Sequence, residues 1–121
     1  MKILVAEDEP MLLKTIELKL RKEGYEVIST PDGRQALEQL EKEMPDLIIT
    51  DIMMPYVSGL EIISFVRQKM NKKIPIIMLS AMEQEKVVME AFELGADDYI
   101  TKPFSLNELA IRVKRLSARR G

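Results

Sequence analysis

Asp46-Leu47-Ile48-Ile49-Thr50-Asp51 is the stretch that decides the fold of this 121-residue chain. Its middle is a continuous apolar run, without the alternation of apolar and polar residues that a half-exposed strand shows. Pro75-Ile76-Ile77-Met78-Leu79 has the same character. Such runs are typical of parallel strands that helices cover on both faces. We therefore expect a parallel sheet between two helical layers.

Short apolar segments alternate along the chain with longer stretches whose apolar residues recur at helical spacing, which indicates an α/β protein. We place strands near residues 2-6, 25-29, 46-51, 75-80 and 98-101, and helices near residues 9-23, 33-43, 58-70, 83-94 and 105-118. Right-handed crossovers leave a few doubly wound strand orders. We predict a (βα)5 three-layer sandwich with order 2-1-3-4-5, which sets the first and third strands side by side.

The ends of several helices carry recognisable signals. Gly24 and Gly95 follow two of the predicted helices where a C-cap glycine belongs. Ser105, with Glu108 three residues later, is a capping-box signature for the final helix. Residues 112–120 are basic and resemble the start of an interdomain linker, or a solvated helix end.

Composition restricts the possible classes of function. The length predicts a single domain, and 18 basic against 20 acidic residues, with a net charge of -2, indicate neither a nucleic-acid binder nor a disordered chain. Cysteine and histidine are absent, which excludes disulfides, thiolate metal sites and imidazole bases. Without a signal-like or membrane-spanning apolar run, we expect a cytoplasmic location.

Polar residues end three of the apolar segments, in Val5-Ala6-Glu7-Asp8, Ile48-Ile49-Thr50-Asp51 and Ile77-Met78-Leu79-Ser80, and Lys102-Pro103 follows the last segment. Parallel strands end at the same edge of a sheet, so these side chains should meet there. Crowded carboxylates raise one another's pKa unless a cation lies between them. Oxygen ligands without His or Cys favour Mg²⁺, for which Mn²⁺ could substitute.

This combination of groups would suit a phosphoryl group. Lys102 adds a positive charge and Ser80 a rotatable hydroxyl beside the expected cation. Asp51 is the candidate nucleophile, because an ionised carboxylate can attack phosphorus without a general base. Each residue also has an ordinary explanation, since Asp51 and Ser80 could be helix caps and Lys102 a solvated lysine. Their expected convergence favours the functional interpretation.

Four stretches resemble the receiver domains of two-component response regulators, which have a CheY-like, flavodoxin-like fold. They are Ile3-Leu4-Val5-Ala6-Glu7-Asp8-Glu9, Thr50-Asp51-Ile52-Met53-Met54-Pro55 with Gly59, Leu79-Ser80-Ala81, and Gly95-Ala96-Asp97-Asp98-Tyr99-Ile100-Thr101-Lys102-Pro103-Phe104. Together they span essentially the whole chain. The resemblance implies a phosphoacceptor regulator that assists its own phosphorylation and dephosphorylation, and a Lys102-Pro103 bond that can be cis.

The resemblance also implies roles for individual residues. Asp51 would be the phosphoacceptor, with Ser80 and Lys102 holding the phosphoryl oxygens. The metal would be bound by Asp51 and Asp8 directly, by Glu7 through water and by the backbone carbonyl of Met53. Glu7 stands where aspartate is commonest in the family, so we expect an altered metal affinity. Apolar Met53 and Met82 beside the path of hydrolytic water predict slow autodephosphorylation.

The resemblance further implies how the signal enters and leaves. A sensor histidine kinase would donate the phosphoryl group and contact the first helix around Met11, Leu12, Thr15 and Ile16. Ser80 would then move toward the phosphoryl group and Tyr99 would turn inward, although Tyr99 could equally be ordinary core packing.

The segment from Glu85 to Arg112 resembles the face through which OmpR/PhoB-like winged-helix transcription factors dimerise. We name Lys86, Glu90, Asp97 and Arg112 the predicted dimer face. The chain would then be the receiver of a regulator that binds DNA through a C-terminal domain missing here, and phosphorylation would promote its dimerisation.

Other classes of function remain open. A single-domain receiver that binds a protein partner would have the same site. A haloacid-dehalogenase-like phosphotransferase needs a second acid after its nucleophile, which Asp51-Ile52-Met53 lacks. An FMN-binding flavodoxin needs a hydroxyl- and glycine-rich phosphate loop where this chain has Glu7-Asp8-Glu9-Pro10, whose charge would repel phosphate.

Overall fold

A computed structural model describes residues 1–81 and 85–120 of the chain. The strands are β1 (Lys2–Ala6), β2 (Glu26–Thr30), β3 (Leu47–Asp51), β4 (Ile76–Ala81) and β5 (Asp98–Lys102), and the α-helices are α1 (Pro10–Lys22), α2 (Gly33–Glu43), α3 (Gly59–Ser64), α4 (Glu85–Leu94) and α5 (Leu106–Arg120). All neighbouring strands are parallel, in the order β2-β1-β3-β4-β5. The predicted fold and strand order are confirmed.

The sheet separates two apolar cores. One core lies between the sheet and helices α1 and α5, and the other between the sheet and helices α2, α3 and α4. Alternate residues of each strand enter opposite cores, as Ile76 and Met78 do on one side of β4 and Ile77 and Leu79 on the other. Right-handed crossovers explain why α1 lies on one face and α2, α3 and α4 on the other, because the chain moves along the sheet in one direction from β1 to β2 and in the opposite direction from β2 onward.

Helix α1 shows how far the apolar pattern predicts burial. Ile16 and Leu20 are fully buried against the sheet, whereas Met11 and Leu18, which belong to the same predicted pattern, are exposed. The structure agrees more closely with the signals that predicted the helix ends. Gly24 and Gly95 have positive φ angles of 98° and 119°, and the Glu108 N–H donates to the Ser105 hydroxyl over 3.0 Å.

The helix predicted near residues 58-70 is α-helical only in its first half. Helix α3 continues into a π-helical turn, Phe65–Lys69, which ends where the Met70 N–H donates to the Phe65 carbonyl. Arg67 in this turn donates to the Gly95 carbonyl, through Nε over 3.0 Å and Nη2 over 2.8 Å. Apolar periodicity could not have predicted this turn, because a single π-helical turn hardly changes the spacing of the apolar residues.

None of the described helices is both long enough and apolar enough to cross a membrane.

Candidate functional site

The site lies where β1 and β3 end beside each other. Ala6 pairs in register with Thr50, so Glu7, Asp8 and Asp51 follow at the same edge of the sheet. One carboxylate oxygen from each of the three residues lies within 4.8 Å of the other two. Glu7 is fully buried, Asp51 is nearly so and Asp8 is exposed. The expected proximity of Asp8 and Asp51 is confirmed.

Lys102, at the end of β5, reaches across the sheet edge to two of these carboxylates. Its Nζ donates a hydrogen bond of 2.9 Å to Oδ2 of Asp51, and it lies 2.9 Å from Oε1 of Glu7. The sequence indicated that Lys102 would lie at this edge, but nothing in it predicted direct pairing with Glu7. The Lys102-Pro103 peptide bond is cis, as the resemblance implied.

The two carboxylate oxygens of Glu7 differ in their contacts within this arrangement. Its Oε2 accepts a hydrogen bond of 3.0 Å from the Glu9 N–H. Its Oε1 is buried without a hydrogen bond among the described residues, although it forms the ion pair with Lys102. That ion pair lacks hydrogen-bond angles, so the contact is electrostatic. A buried oxygen without a hydrogen bond among the described residues, beside two further carboxylates, fits a hydrated divalent cation such as Mg²⁺.

Burial opposes ionisation of the two inner carboxylates. Burial raises the pKa of Glu7 most strongly, with the hydrogen bond from Glu9 and the contacts with Lys102 acting against it. Burial likewise raises the pKa of Asp51, and Lys102 lowers it in part. Burial lowers the pKa of Lys102, but its contacts with Asp51 and Glu7 outweigh this effect and leave that pKa raised. The lysine therefore stays charged and compensates part of the acidic cluster.

The loop after β3 packs closely against Asp51. The Gly59 N–H donates to the Ile52 carbonyl over 2.7 Å, which closes the base of the loop. A Cβ at Gly59 would lie 2.2 Å from the Asp51 carbonyl oxygen, so only glycine fits there. A backbone hydrogen bond from Met53 acts to lower the pKa of Asp51. The loop therefore influences the carboxylate directly.

Ser80 and Tyr99 border a common cavity on the other side of the site. Ser80 is buried at the end of β4, and Tyr99 on β5 is exposed, with its ring edge-on to Phe92 at a centroid distance of 5.7 Å. A cavity of about 200 Å³ lies between them, also lined by Val88 and Thr101. Tyr99 is therefore not the ordinary core residue that the pattern also allowed.

Two residues of the predicted dimer face are exposed on α4, and the other two form ion pairs within the chain. Lys86 and Glu90 are exposed on α4. Oδ2 of Asp97 lies 3.0 Å from Nη2 of Arg67 and accepts a hydrogen bond of 2.8 Å from the Ile76 N–H. Arg112 forms a 2.7 Å ion pair with Asp98 and a 3.2 Å pair with Glu108. A role for these four residues in dimerisation stays a prediction.

Three of the four residues expected to meet a kinase line a surface cavity of about 570 Å³ beside the site, namely Met11, Leu12 and Thr15. Ile16 was wrongly included, because it is fully buried where α1 faces the sheet. Met53 is exposed next to the site. Met82, its expected counterpart in the autodephosphorylation prediction, lies outside the described residues.

Comparisons with known proteins agree with this geometry. The chain matches the response regulator receiver domain family over residues 3–114. It is 43% identical over 118 residues to the alkaline phosphatase synthesis transcriptional regulatory protein PhoP of Bacillus subtilis (strain 168), a match that covers 98% of this chain and 49% of PhoP. The chain thus spans about half the length of that relative.

Solved structures with similar folds include the receiver domain of the Francisella response regulator 1452, with a TM-score of 0.90, 37% identity and coverage of 99% of this chain and 98% of that one. The Vibrio cholerae chemotaxis protein CheY4 has a TM-score of 0.85 and 34% identity, with coverage of 94% and 96%. The chain belongs to the response regulator receiver domain family, whose members act as phosphoacceptors in two-component, phosphorylation-dependent signalling.

Proposed function

We propose that Asp51 accepts a phosphoryl group from a sensor histidine kinase in a Mg²⁺-dependent reaction. The observation that carries the proposal is the convergence of Glu7, Asp8 and Asp51 within 4.8 Å of one another, with Lys102 Nζ 2.9 Å from Asp51. Three carboxylates face one ammonium there, so the site carries an excess of negative charge that a divalent cation would compensate.

The transfer itself requires little from the protein beyond position and charge. A carboxylate oxygen of Asp51 forms a bond to phosphorus while the bond between phosphorus and the donor's histidine nitrogen breaks, and that nitrogen keeps the electron pair. The product is an acyl phosphate on Asp51. Lys102 then binds a phosphoryl oxygen, which its place 2.9 Å from Oδ2 supports. Ser80, buried at the neighbouring strand end, donates its hydroxyl to another oxygen.

Four groups are proposed to hold the cation. Asp8, Asp51 and the Met53 carbonyl bind it directly, and Glu7 binds through a water molecule. The bound cation supplies neutralisation of the charge that develops on the phosphoryl oxygens. The ion pair of Glu7 with Lys102 supports the indirect role, because it directs Oε1 toward the lysine. Mn²⁺ could take the same oxygen ligands.

Ser80 and Tyr99 are proposed to pass on the change. When the Ser80 hydroxyl moves toward the phosphoryl group, the Tyr99 ring leaves its exposed position beside Phe92 and enters the adjacent cavity. The volume of about 200 Å³ between the two residues supports this step, because it offers space for the ring. Phosphorylation thus shifts a population between two arrangements of the same fold.

The proposed output is dimerisation of a transcriptional regulator through Lys86, Glu90, Asp97 and Arg112. The similarity to PhoP supports a regulator that binds DNA through a C-terminal domain not included in this chain. The alternative is a single-domain receiver that acts by binding another protein. The match to CheY4, which covers 96% of that chain, favours this alternative. A cytoplasmic location suits either protein.

The proposed chemistry can be tested by intact mass after incubation with Mg²⁺ and acetyl phosphate. We expect one phosphoryl adduct in the wild type and none in Asp51→Asn. Asp8→Asn is the matched control, because it also removes one carboxylate but keeps the acceptor. We expect it to form the adduct slowly, with recovery at higher Mg²⁺. An adduct that persists in Asp51→Asn, or a wild type that binds no Mg²⁺ and gains no mass, would contradict the proposal.

Sedimentation equilibrium tests the proposed output. Phosphorylated protein should dimerise, and Arg112→Ala should weaken this dimer because it removes a charge from the predicted face. Lys114→Ala is the control, since Lys114 is an exposed cation on the same helix. Phosphorylated protein that remains monomeric at high concentration would favour the single-domain alternative.

A further inference from the structure

A strained turn lies at the tip of the loop between β3 and α3. The Val57 N–H donates to the Pro55 carbonyl over 2.8 Å, and Tyr56 between them has a φ of 70°. A hydrogen bond from residue i+2 to residue i, with positive φ at the central residue, defines a rare and strained γ-turn. Positive φ is unfavourable for a bulky residue such as tyrosine. Such a conformation persists only where its surroundings hold it.

The first turn of α2 supplies those surroundings. The guanidinium carbon of Arg34 lies 4.2 Å from the centroid of the Tyr56 ring, within the range of a cation–π contact. Beside it, a Cβ at Gly33 would lie 2.1 Å from the Val57 carbonyl oxygen, so the helix backbone rests directly on the loop. Tyr56 is 73% exposed, which means that the arginine, and not burial in the core, is what covers its ring.

Three residues, 52–54, connect Asp51 to the turn. Met53 contributes the backbone hydrogen bond to Asp51, and its carbonyl is a proposed cation ligand. The loop base is closed between Ile52 and Gly59. The position of Met53 therefore depends on the conformation of a short closed loop whose tip is the strained turn.

We propose that the stack of Arg34 on Tyr56 is a positioning device for the phosphoacceptor site. It holds the turn, and the turn keeps Met53 oriented toward Asp51 and toward a divalent cation. Neither side chain takes part in the chemistry. The inference rests on the proposed function, because it assigns the loop a role in cation binding and phosphoryl transfer.

A loss of charge and a loss of positioning predict opposite changes in Mg²⁺ affinity for Arg34→Ala. Removing a positive charge from the protein would by itself strengthen Mg²⁺ binding or leave it unchanged. Losing the stack would weaken Mg²⁺ binding, because the loop must be ordered when the cation binds. A cation–π contact at an exposed site limits this weakening to about two- to fivefold in Kd.

The test compares Arg34→Ala, Tyr56→Ala and the double variant, with two controls. Tyr56→Phe keeps the ring face and should behave as the wild type. Lys42→Ala removes one positive charge from the other end of α2 and should not weaken binding. Mg²⁺ affinity is measured by calorimetry. Amide hydrogen exchange of residues 53–58 is measured without metal, where both single alanine variants should exchange faster than wild type.

Support requires a two- to fivefold loss of Mg²⁺ affinity in both single alanine variants, no further loss in the double variant, and faster exchange in the loop. Equal Mg²⁺ affinity in Arg34→Ala and Lys42→Ala would overturn the positioning role, as would equal loss in Tyr56→Phe and Tyr56→Ala. A wild type that bound no Mg²⁺ and accepted no phosphoryl group would instead overturn the proposed function. The wild-type and variant results therefore separate the two failures.

Discussion

Lys102→Met should lower the free energy of unfolding, because it removes the positive charge that compensates two buried carboxylates. The Lys102 ammonium lies 2.9 Å from oxygens of both Asp51 and Glu7. At that distance and an effective dielectric constant of about 20, each contact supplies about 6 kcal/mol of gross attraction. Desolvation offsets much of this attraction, and removing one partner of a buried pair typically costs about 3–5 kcal/mol. Because the lysine side chain is still 24% exposed, we expect a loss of about 3 kcal/mol.

The dependence on pH provides a second signature. Burial raises the pKa of Glu7 and Asp51, and the loss of Lys102 would raise both further. The folded variant then binds more protons than the unfolded chain between the ordinary and the raised pKa values. Its free energy of unfolding falls as pH rises through that interval. The deficit against wild type should therefore be largest at neutral pH and should shrink toward the ordinary carboxylate pKa.

The assay is urea unfolding followed by circular dichroism in the presence of a chelator, at several pH values. Lys19→Met is the matched control. The Lys19 side chain is 21% exposed and lies 3.5 Å from Glu23, but that partner is 43% exposed. This substitution should cost no more than about 1 kcal/mol. If Lys102→Met cost as little, with no dependence on pH, the ammonium would not be compensating buried carboxylates and our account of the site would be refuted.

Three further outcomes follow from the same contacts. Asp51→Asn in metal-free buffer should stabilise the fold by about 0.5–2 kcal/mol, because it removes a buried charge kept for function; a lower thermal midpoint than wild type would contradict this. Ser29→Ala should cost about 1 kcal/mol at neutral pH, since the hydrogen bond from Ser29 is the main cause of the lowered pKa of Glu17. That contribution is present above the ordinary pKa of Glu17 and is lost as pH falls through its lowered value, so urea unfolding at acidic pH should show no difference. Gly59→Ala should cost about 1–3 kcal/mol and slow phosphorylation by acetyl phosphate, because its Cβ would meet the Asp51 carbonyl; unchanged kinetics would show that the loop tolerates the shift.

The architecture was largely predictable from local patterns. Continuous apolar runs such as the one ending at Asp51, spaced by helical periodicity, predict parallel strands between helical layers. Chirality left a few doubly wound strand orders, and the predicted order 2-1-3-4-5 is the one that sets β1 beside β3. Helix ends could be read from single residues, as at Gly24 and Ser105, because capping depends on neighbours a few positions away.

Features that depend on side chains distant in sequence were not predictable in this way. Exposure of Met11 and burial of Ile16 are decided by how α1 lies on the sheet, which periodicity describes only approximately. The π-helical turn carries Arg67, which contacts Gly95, and the strained Tyr56 turn lies against Arg34, so each turn contacts another element. No local propensity encodes such a partner.

The sequence alone determined which chemical groups are available and predicted which edge of the sheet they share, because residue type is local and an alternation of strands and helices indicates parallel strands. It predicted Asp8, Asp51 and Lys102 at that edge, and the absence of His and Cys limited the cation to one that binds oxygen. Only the tertiary structure decided that Lys102 pairs with both Glu7 and Asp51, and that Tyr99 faces outward beside a cavity. It also left one oxygen of Glu7 without a hydrogen bond from any residue that the structure describes. These properties depend on distances of a few ångströms between residues up to 95 positions apart, and packing of the complete chain sets such distances.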